Sequence, residues 1–321
     1  MARIFMDGWE HGDPLALWTS SVSGRYCSTG IAGMSGTYCV RVEGNILVDL
    51  PSTYTEMYAS CKWRTGQLNT DCLAFSKGTT KIFGVWVNSS GFLVARIGTG
   101  TDVETGTKLM LINTTYRIEV YFKMDDSVGR VVVKVDDIID IDFTGDTKPG
   151  ADADFDRLGL GTVVGANGFF DDVVLDDSGW VGITEIVGLK PSGAGNSTQW
   201  SPSAGNNYEC VDEVPYSDAD YVSETVAAQK DLFAIEDLAS TPDAIKCVTV
   251  TGRVVKDGSP TPANARLLMR TQSTDYNGDD EAVPLNNPKF INKMWEINPN
   301  TTSAWTESDI NALEIGIESR T

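Results

Sequence analysis

Between residues 116 and 123 apolar and polar side chains alternate without a break. Tyr116, Ile118, Val120 and Phe122 fall on one parity, and Arg117, Glu119, Tyr121 and Lys123 on the other. A period of two is the signature of a strand with one buried face. A polar turn follows at 125–129, then a valine-rich segment at 130–135, a second turn, apolar residues at 138–143, and strand-sized runs at 157–161 and 169–177. Short strands joined by polar turns predict an antiparallel sandwich in which sequence neighbours are spatial neighbours. Such sheets present surfaces rather than deep clefts, so the pattern points to a protein that binds or builds.

The pattern runs through the first 180 residues. Segments 36–42 and 45–50 read as two strands turning at Glu43-Gly44, with further strands at 56–63, 71–75, 80–87 and 108–112. Asn88, Ser89, Ser90 and Gly91 form a hairpin turn into a return strand at 92–97, because Asn and Gly tolerate positive φ. Roughly a dozen strands are too many for an immunoglobulin domain and fit a two-sheet jelly roll. A boundary near 177–180 divides the chain into domains at 1–180 and 181–321. In the second, 191–207 is a Ser, Gly and Asn-rich loop. Residues 222–238 allow a helix, but the apolar run 232–235 is short enough to be a buried strand, which is expected for that half. Segments 244–255 and 265–270 read as a hairpin with a widened loop around 256–258. Runs at 295–297 and 312–318 close the domain, with one helical turn at 306–311, where Thr306 can cap and acids follow. Trp295 and Trp305 are expected to staple this closing loop. The fold class is therefore all-β: a two-sheet jelly-roll sandwich followed by a smaller β-sandwich.

Composition narrows the function classes. A hydrophobic content of 41% with 22% charged residues describes a folded chain, and 321 residues suit two domains. The 45 acidic against 25 basic residues give a net charge of −20, present in both halves, which repels phosphate and argues against nucleic-acid binding. No run of about 18 apolar residues exists, so no helix is expected to span a membrane. The N-terminus lacks the apolar core of a secretory signal, so synthesis in the cytoplasm is expected. Six cysteines, at Cys27, Cys39, Cys61, Cys72, Cys210 and Cys247, form no Cys-x-x-Cys, and the single histidine is His11, so zinc is not expected. Spacing permits the pairs Cys27–Cys39, Cys61–Cys72 and Cys210–Cys247 among 15 pairings, whereas cytoplasmic synthesis favours thiols.

The runs 116–123 and 130–135, Phe143-Thr144-Gly145-Asp146-Thr147, Leu158-Gly159-Leu160-Gly161 and Phe170-Asp171-Asp172-Val173-Val174 resemble a concanavalin A-like lectin/glucanase domain of the laminin-G-like kind, over about residues 1–178. Segments 231–238 and 305–316 resemble the second domain of structural proteins in tailed bacteriophages. The first resemblance implies a structural calcium held by an N-terminal acid and the Asp-Asp of the last strand, here Asp7, Asp171 and Asp172. Carboxylate oxygens suit calcium, but strand alternation lets only one of Asp171 and Asp172 face the site, and solvated turn carboxylates are the bland alternative. It also implies aromatic side chains on an exposed sheet for stacking on sugars: Trp86, Trp63 and Tyr121 are the candidates, with core packing as their alternative fate.

Catalysis finds little support in the residues. His11 is the sole imidazole, no Gly-x-Ser-x-Gly elbow occurs, and the Glu-x-Asp-x-x-Glu motif of related glucanases is missing. Together these readings make the chain a non-enzymatic structural component of a tailed-phage virion, requiring no cofactor, with the structural calcium as an option. It would be made in the host cytoplasm, exposed on the particle, oligomeric, and partnered by other virion proteins. A host-glycan adhesin is the alternative reading, and a glycan hydrolase a further one.

Overall fold

Strands form where the alternation places them. The computed structural model describes residues 3–148, 150–161, 168–258 and 262–321, with the backbone alone at Val22 and Ser23. It divides into two compact units, Met1–Val187 and Gly188–Thr321. Among the described residues no helix is long and apolar enough to cross a membrane.

The first unit contains β1 (Arg3–Asp7), β2 (Ser20–Ser28), β3 (Cys39–Tyr54), β4 (Glu56–Thr65), β5 (Thr70–Lys77), β6 (Thr80–Val87), β7 (Phe92–Ile97), β8 (Thr101–Leu109), β9 (Thr115–Lys123), β10 (Gly129–Val135), β11 (Ile138–Gly145), β12 (Phe155–Leu160) and β13 (Gly168–Asp176). They join in one antiparallel path, β11-β10-β9-β4-β13-β3-β12-β5-β6-β7-β8, with β1 on β13 and β2 on β3. The path folds on itself into a jelly-roll sandwich. Phe122 from the β9 half meets Phe83 and Phe75 from the other half, with ring centroids 4.5 Å and 6.2 Å apart. At the open side Asp140 of β11 closes the sandwich, its Oδ1 accepting the N–H groups of Thr107 and Lys108 on β8, each at 2.8 Å.

One expected turn is absent. Residues 39–54 form a single strand, without a reversal at Glu43-Gly44. Its first part pairs with β13 and its later part with β12, so the strand itself carries the chain from one layer to the other. The hairpin at Asn88–Gly91 is as expected: Asn88 Oδ1 accepts from Ser90 and Phe92 N–H, and Gly91 has φ +85°. The first unit ends at Val187 rather than at 180, because Gly182 and Ile186 donate their N–H groups to Glu119 and Asp172 of the sandwich.

The second unit contains β14 (Pro191–Thr198), β15 (Ser201–Pro202), β16 (Val222–Ser223), β17 (Lys230–Ile235), β18 (Val248–Val254), β19 (Asn264–Thr271), β20 (Thr274–Asn277), β21 (Glu281–Ala282), β22 (Lys289–Trp295), α1 (Glu307–Asn311) and β23 (Glu314–Arg320). The main sheet runs β14-β17-β23-β19-β20, with β21 on β19, and β18 pairs with β22. Val250, Val254 and Ile291 of that pair share a core with Leu267 and Met269 of the sheet, so this is the smaller sandwich. The expected hairpin of 244–255 with 265–270 is corrected here. β18 pairs with β22 and β19 with β23, because the chain between them folds sheet onto sheet. Thr306 caps α1, its Oγ1 accepting Asp309 N–H, and Trp305 Nε1 donates to the Trp295 carbonyl at 3.0 Å, as a staple.

Gly316 on β23 faces the backbone carbonyl of Asp231 on β17, where an added Cβ would lie inside van der Waals contact. Neither sheet backbone can yield without breaking its ladder. Gly316→Ala should therefore destabilise the second unit by about 3 kcal/mol. Denaturant unfolding measures this, and a loss below about 1 kcal/mol would show that the strands part easily.

Candidate functional site

The side chains of β4, β9 and β10 that point away from the core form the outer face of the first unit. Cross-strand register places Tyr58 beside Tyr121, and Tyr121 beside Val132. The tyrosine rings stack with centroids 4.5 Å apart and 22° between planes. After β13 the chain turns back over this face, where Trp180 packs edge-on against Tyr58 at 5.3 Å and Tyr121 at 6.4 Å. Lys134 on β10 sets its Nζ 3.5 Å from the Trp180 ring centroid. The result is a half-exposed aromatic shelf made by three separate segments.

Polar groups rim the shelf. Tyr121 donates its hydroxyl to Glu56 Oε2 at 2.9 Å. Burial, then this bond to Glu56, raises the Tyr121 pKa above the ordinary phenol value, and burial followed by the Glu56 charge raises that of Tyr58. Both hydroxyls remain donors at neutral pH. Arg130 and Asp142 pair at 2.6 Å along the next row. Asp176 is held by Arg3 at 3.3 Å and accepts the N–H groups of Ser178 and Gly179. With Glu56, Asp142 and Asp176 each committed to a partner, the shelf carries an apolar wall with fixed donors and acceptors. That combination suits CH–π stacking and hydrogen bonding to a sugar ring.

The three sequence candidates do not converge. Trp63 is 0% exposed and lies in the core between the layers, its Nε1 without a hydrogen-bond partner among the described residues. Its parity on β4 matches Met57 and Cys61, so it faces inward. Trp86 lies on the outer face of the opposite layer, under the Arg96 guanidinium at 4.2 Å, which Asp102 holds through two bonds at 2.6 and 3.2 Å. Tyr121 alone belongs to the shelf. Trp180, at the expected domain boundary, is not among the sequence candidates. Its Gly179-Trp180-Val181 context carries no alternation, and only the position of an aromatic just after the last strand offered a signal.

The carboxylates tied to calcium form a different arrangement. Asp171 and Asp172 are 1% and 2% exposed, so they are not solvated turn residues. They also break the expected alternation. Asp172 has φ +48° at a bulge in β13, where the register with β4 shifts between Asp171 and Val174. The extra residue turns both carboxylates to one side, and Val173 and Leu175 return to the core. Asp171 Oδ2 accepts Ser35 N–H at 2.7 Å, and Asp172 Oδ2 accepts Ser35 Oγ–H at 2.6 Å. Lys62 Nζ lies 3.0 Å from Asp172 and also donates to Ser35 Oγ. Burial, followed by the neighbouring Asp172, pushes the Asp171 pKa up to about 8.

Asp7, 3% exposed on β1, accepts from Trp9 N–H at 2.7 Å, His11 Nε2 at 3.0 Å and Trp18 Nε1 at 2.8 Å. Calcium needs about six to eight oxygen ligands. Here both oxygens of each of these carboxylates take protein donors, and the Lys62 ammonium stands beside Asp172 where a cation would compete. Among the described residues no three His, Cys, Asp or Glu side chains are placed to hold a metal. The residues do not fit calcium. They pin loop 29–38 and the segment after β13 onto the outer face.

The cysteines carry thiols. Cys39 donates to the Ser28 carbonyl at 3.6 Å, Cys210 to the Ala204 carbonyl at 2.8 Å and Cys247 to the Val248 carbonyl at 3.8 Å. Cys61 and Cys72 meet inside the core, where burial and the Cys61 thiol hold Cys72 well above the usual thiol pKa. Burial, then nearby acids, pushes Cys27 up to about 12. Cys27, Cys39 and Cys72 are therefore not poised as nucleophiles.

No protein-family model and no curated protein matches the sequence. Among solved structures the chain is similar to a sialidase, at 13% identity over 55% of this chain and 18% of that chain, with a TM-score of 0.41. It is similar to an endo-beta-1,4-glucuronan lyase from the fungus Trichoderma reesei, at 11% identity over 55% and 96% of the two chains, TM-score 0.41. A carbohydrate-binding module from Bacillus subtilis matches at 14% identity over 48% and 92%, TM-score 0.33. The chain spans less than a fifth of the sialidase. All three are too distant in identity and in superposition for any property to follow from them.

Proposed function

We propose that this chain is a non-catalytic, glycan-binding component of a tailed-phage virion, with the first unit displayed on the particle and the second joined to other virion proteins. The observation that carries glycan binding is the Tyr58–Tyr121–Trp180 shelf, three contacting and half-exposed rings with fixed polar groups at their rim. A non-catalytic role is supported by the carboxylates around it, each engaged by a protein donor or cation. The virion assignment rests on the sequence resemblance, and the two-unit all-β architecture accords with it.

The shelf predicts a specific mutational pattern. Trp180→Ala should weaken binding to bacterial surface polysaccharide about fivefold, since a lost stacking face is worth about 1 kcal/mol. Trp86→Ala should leave it unchanged, because Arg96 already occupies that ring. Isothermal titration with purified polysaccharide distinguishes them. Equal losses, or a loss with Trp86→Ala alone, would move the site to the other face. Release of reducing ends during the titration would overturn the non-catalytic reading.

A further inference from the structure

Farther along the same outer face, beyond the shelf, a second row crosses four strands. Register pairs Tyr26 of β2 with Arg41 of β3, Arg41 with Phe169 of β13, and Phe169 with Arg64 of β4. Aromatic and guanidinium side chains therefore alternate across the sheet. Tyr26 is 55% exposed, and the other three are partly exposed. Neighbouring strands lie about 4.8 Å apart, so Arg41 and Arg64 rise about 10 Å apart on either side of Phe169.

Their partners differ in a way that suggests a ligand. Arg41 is held by Glu43 two residues along the same strand, at 2.5 Å. Arg64 makes one long hydrogen bond, to the Ala32 carbonyl at 3.5 Å, and has no carboxylate partner among the described residues. Among the described arginines, Arg64 shares the lack of a carboxylate partner only with Arg25, each of the other ten being paired with an acid. Loop 29–38 walls one side of the row, since Thr115 Oγ1 also donates to the Ala32 carbonyl.

We propose that the Tyr26–Arg41–Phe169–Arg64 row is a second saccharide site, selective for sugars that carry a carboxylate. The sugar ring stacks on Phe169, and its carboxylate takes the guanidinium of Arg64, with the fork geometry that favours arginine for this role. Tyr26 offers a further face at the β2 end. Glu43 competes with the ligand for Arg41, so it limits affinity. The row uses no residue of the aromatic shelf, and it would stand even if the shelf bound nothing.

The test uses the full chain with a tetra-uronate and its carboxyl-reduced counterpart, titrated by calorimetry. The wild type is expected to bind the uronate at least tenfold more tightly than the reduced sugar. Arg64→Ala should abolish that preference while leaving the reduced sugar unaffected, with little effect on folding, because Arg64 makes one long bond. Glu43→Gln should raise uronate affinity by removing a carboxylate that competes with the ligand for Arg41, a gain that a folding defect cannot imitate. Trp180→Ala should leave the preference intact, so failure of the shelf and failure of the row are distinguishable. No uronate binding, no preference for the carboxylate, or a preference that survives Arg64→Ala would each overturn the proposal.

Discussion

Asp7→Ala should cost the first unit about 3–5 kcal/mol. The Asp7 carboxylate is the shared acceptor for the Trp9 amide, the His11 imidazole and the Trp18 indole, at 2.7, 3.0 and 2.8 Å. Trp9 and Trp18 stack at 5.6 Å with 10° between their planes, and Phe5 packs edge-on against Trp18 at 5.2 Å. Alanine removes the acceptor and leaves a buried amide and a buried indole N–H unpaired, each worth about 1–3 kcal/mol. His11 loses its carboxylate as well. Asp7→Asn keeps an acceptor and should lose about half as much. Urea unfolding followed by tryptophan fluorescence reads the difference. A change below about 1 kcal/mol for alanine would mean that the tryptophan pair holds the β1 region without the carboxylate.

The second large effect is on pH dependence. Asp171 binds its proton up to about pH 8 in the folded protein, because burial and the adjacent Asp172 disfavour its charge. In the unfolded chain it titrates near pH 4. A raised carboxyl pKa means that the folded state holds a proton the unfolded state has released. Its stabilising contribution is therefore complete below about pH 4 and is lost progressively as pH rises toward about 8. His11 acts in the same direction. Burial alone would lower its pKa, but the hydrogen bond to Asp7 and the charges of Asp7, Asp13 and Glu10 raise it, so its contribution is lost as pH rises through that higher value. The first unit should lose about 2 kcal/mol or more between pH 5 and 8. Asp171→Asn should flatten the slope below pH 6 and leave the His11 part above it. Stability that rises across this window, or a slope unchanged by Asp171→Asn, would contradict the reading of this cluster.

How far the sequence reached depended on which atoms do the holding. The strand at 115–123 was legible because side-chain parity alone decides which face is buried, and Ile118, Val120 and Phe122 are fully inside. The strand at 230–235 was legible because four apolar residues are too few for a helix face but enough to fill a sheet. Parity failed at Asp171-Asp172, where a bulge with positive φ turns two successive side chains the same way, and nothing in Phe170-Asp171-Asp172-Val173 marks an extra residue. It failed at Glu43-Gly44 because a glycine between two apolar runs serves a turn or a layer-crossing strand equally well. Tyr121 was found as a strand aromatic on the parity opposite Val120 and Phe122, with its facing left open, whereas Trp180 was not found, since backbone N–H groups of Gly182 and Ile186 tether its segment. Those tethers leave no trace in residue type. Trp63 and Trp86 show the converse: the alternation assigns a tryptophan to a face, but not whether that face is the core or lies under an arginine.

Sugar binding by the outer face around Tyr58, Tyr121 and Trp180 is the proposal on which the functional reading stands. The direct measurement is a two-dimensional NMR titration of the full chain, with indole and tyrosine ring labels, against bacterial surface polysaccharide fragments. Saturable shifts are expected at the Trp180 indole and the Tyr58 and Tyr121 rings, while the buried Trp63 and the Arg96-covered Trp86 stay still. Shifts confined to Trp86, or no saturable shift at the three shelf rings, would contradict the proposal.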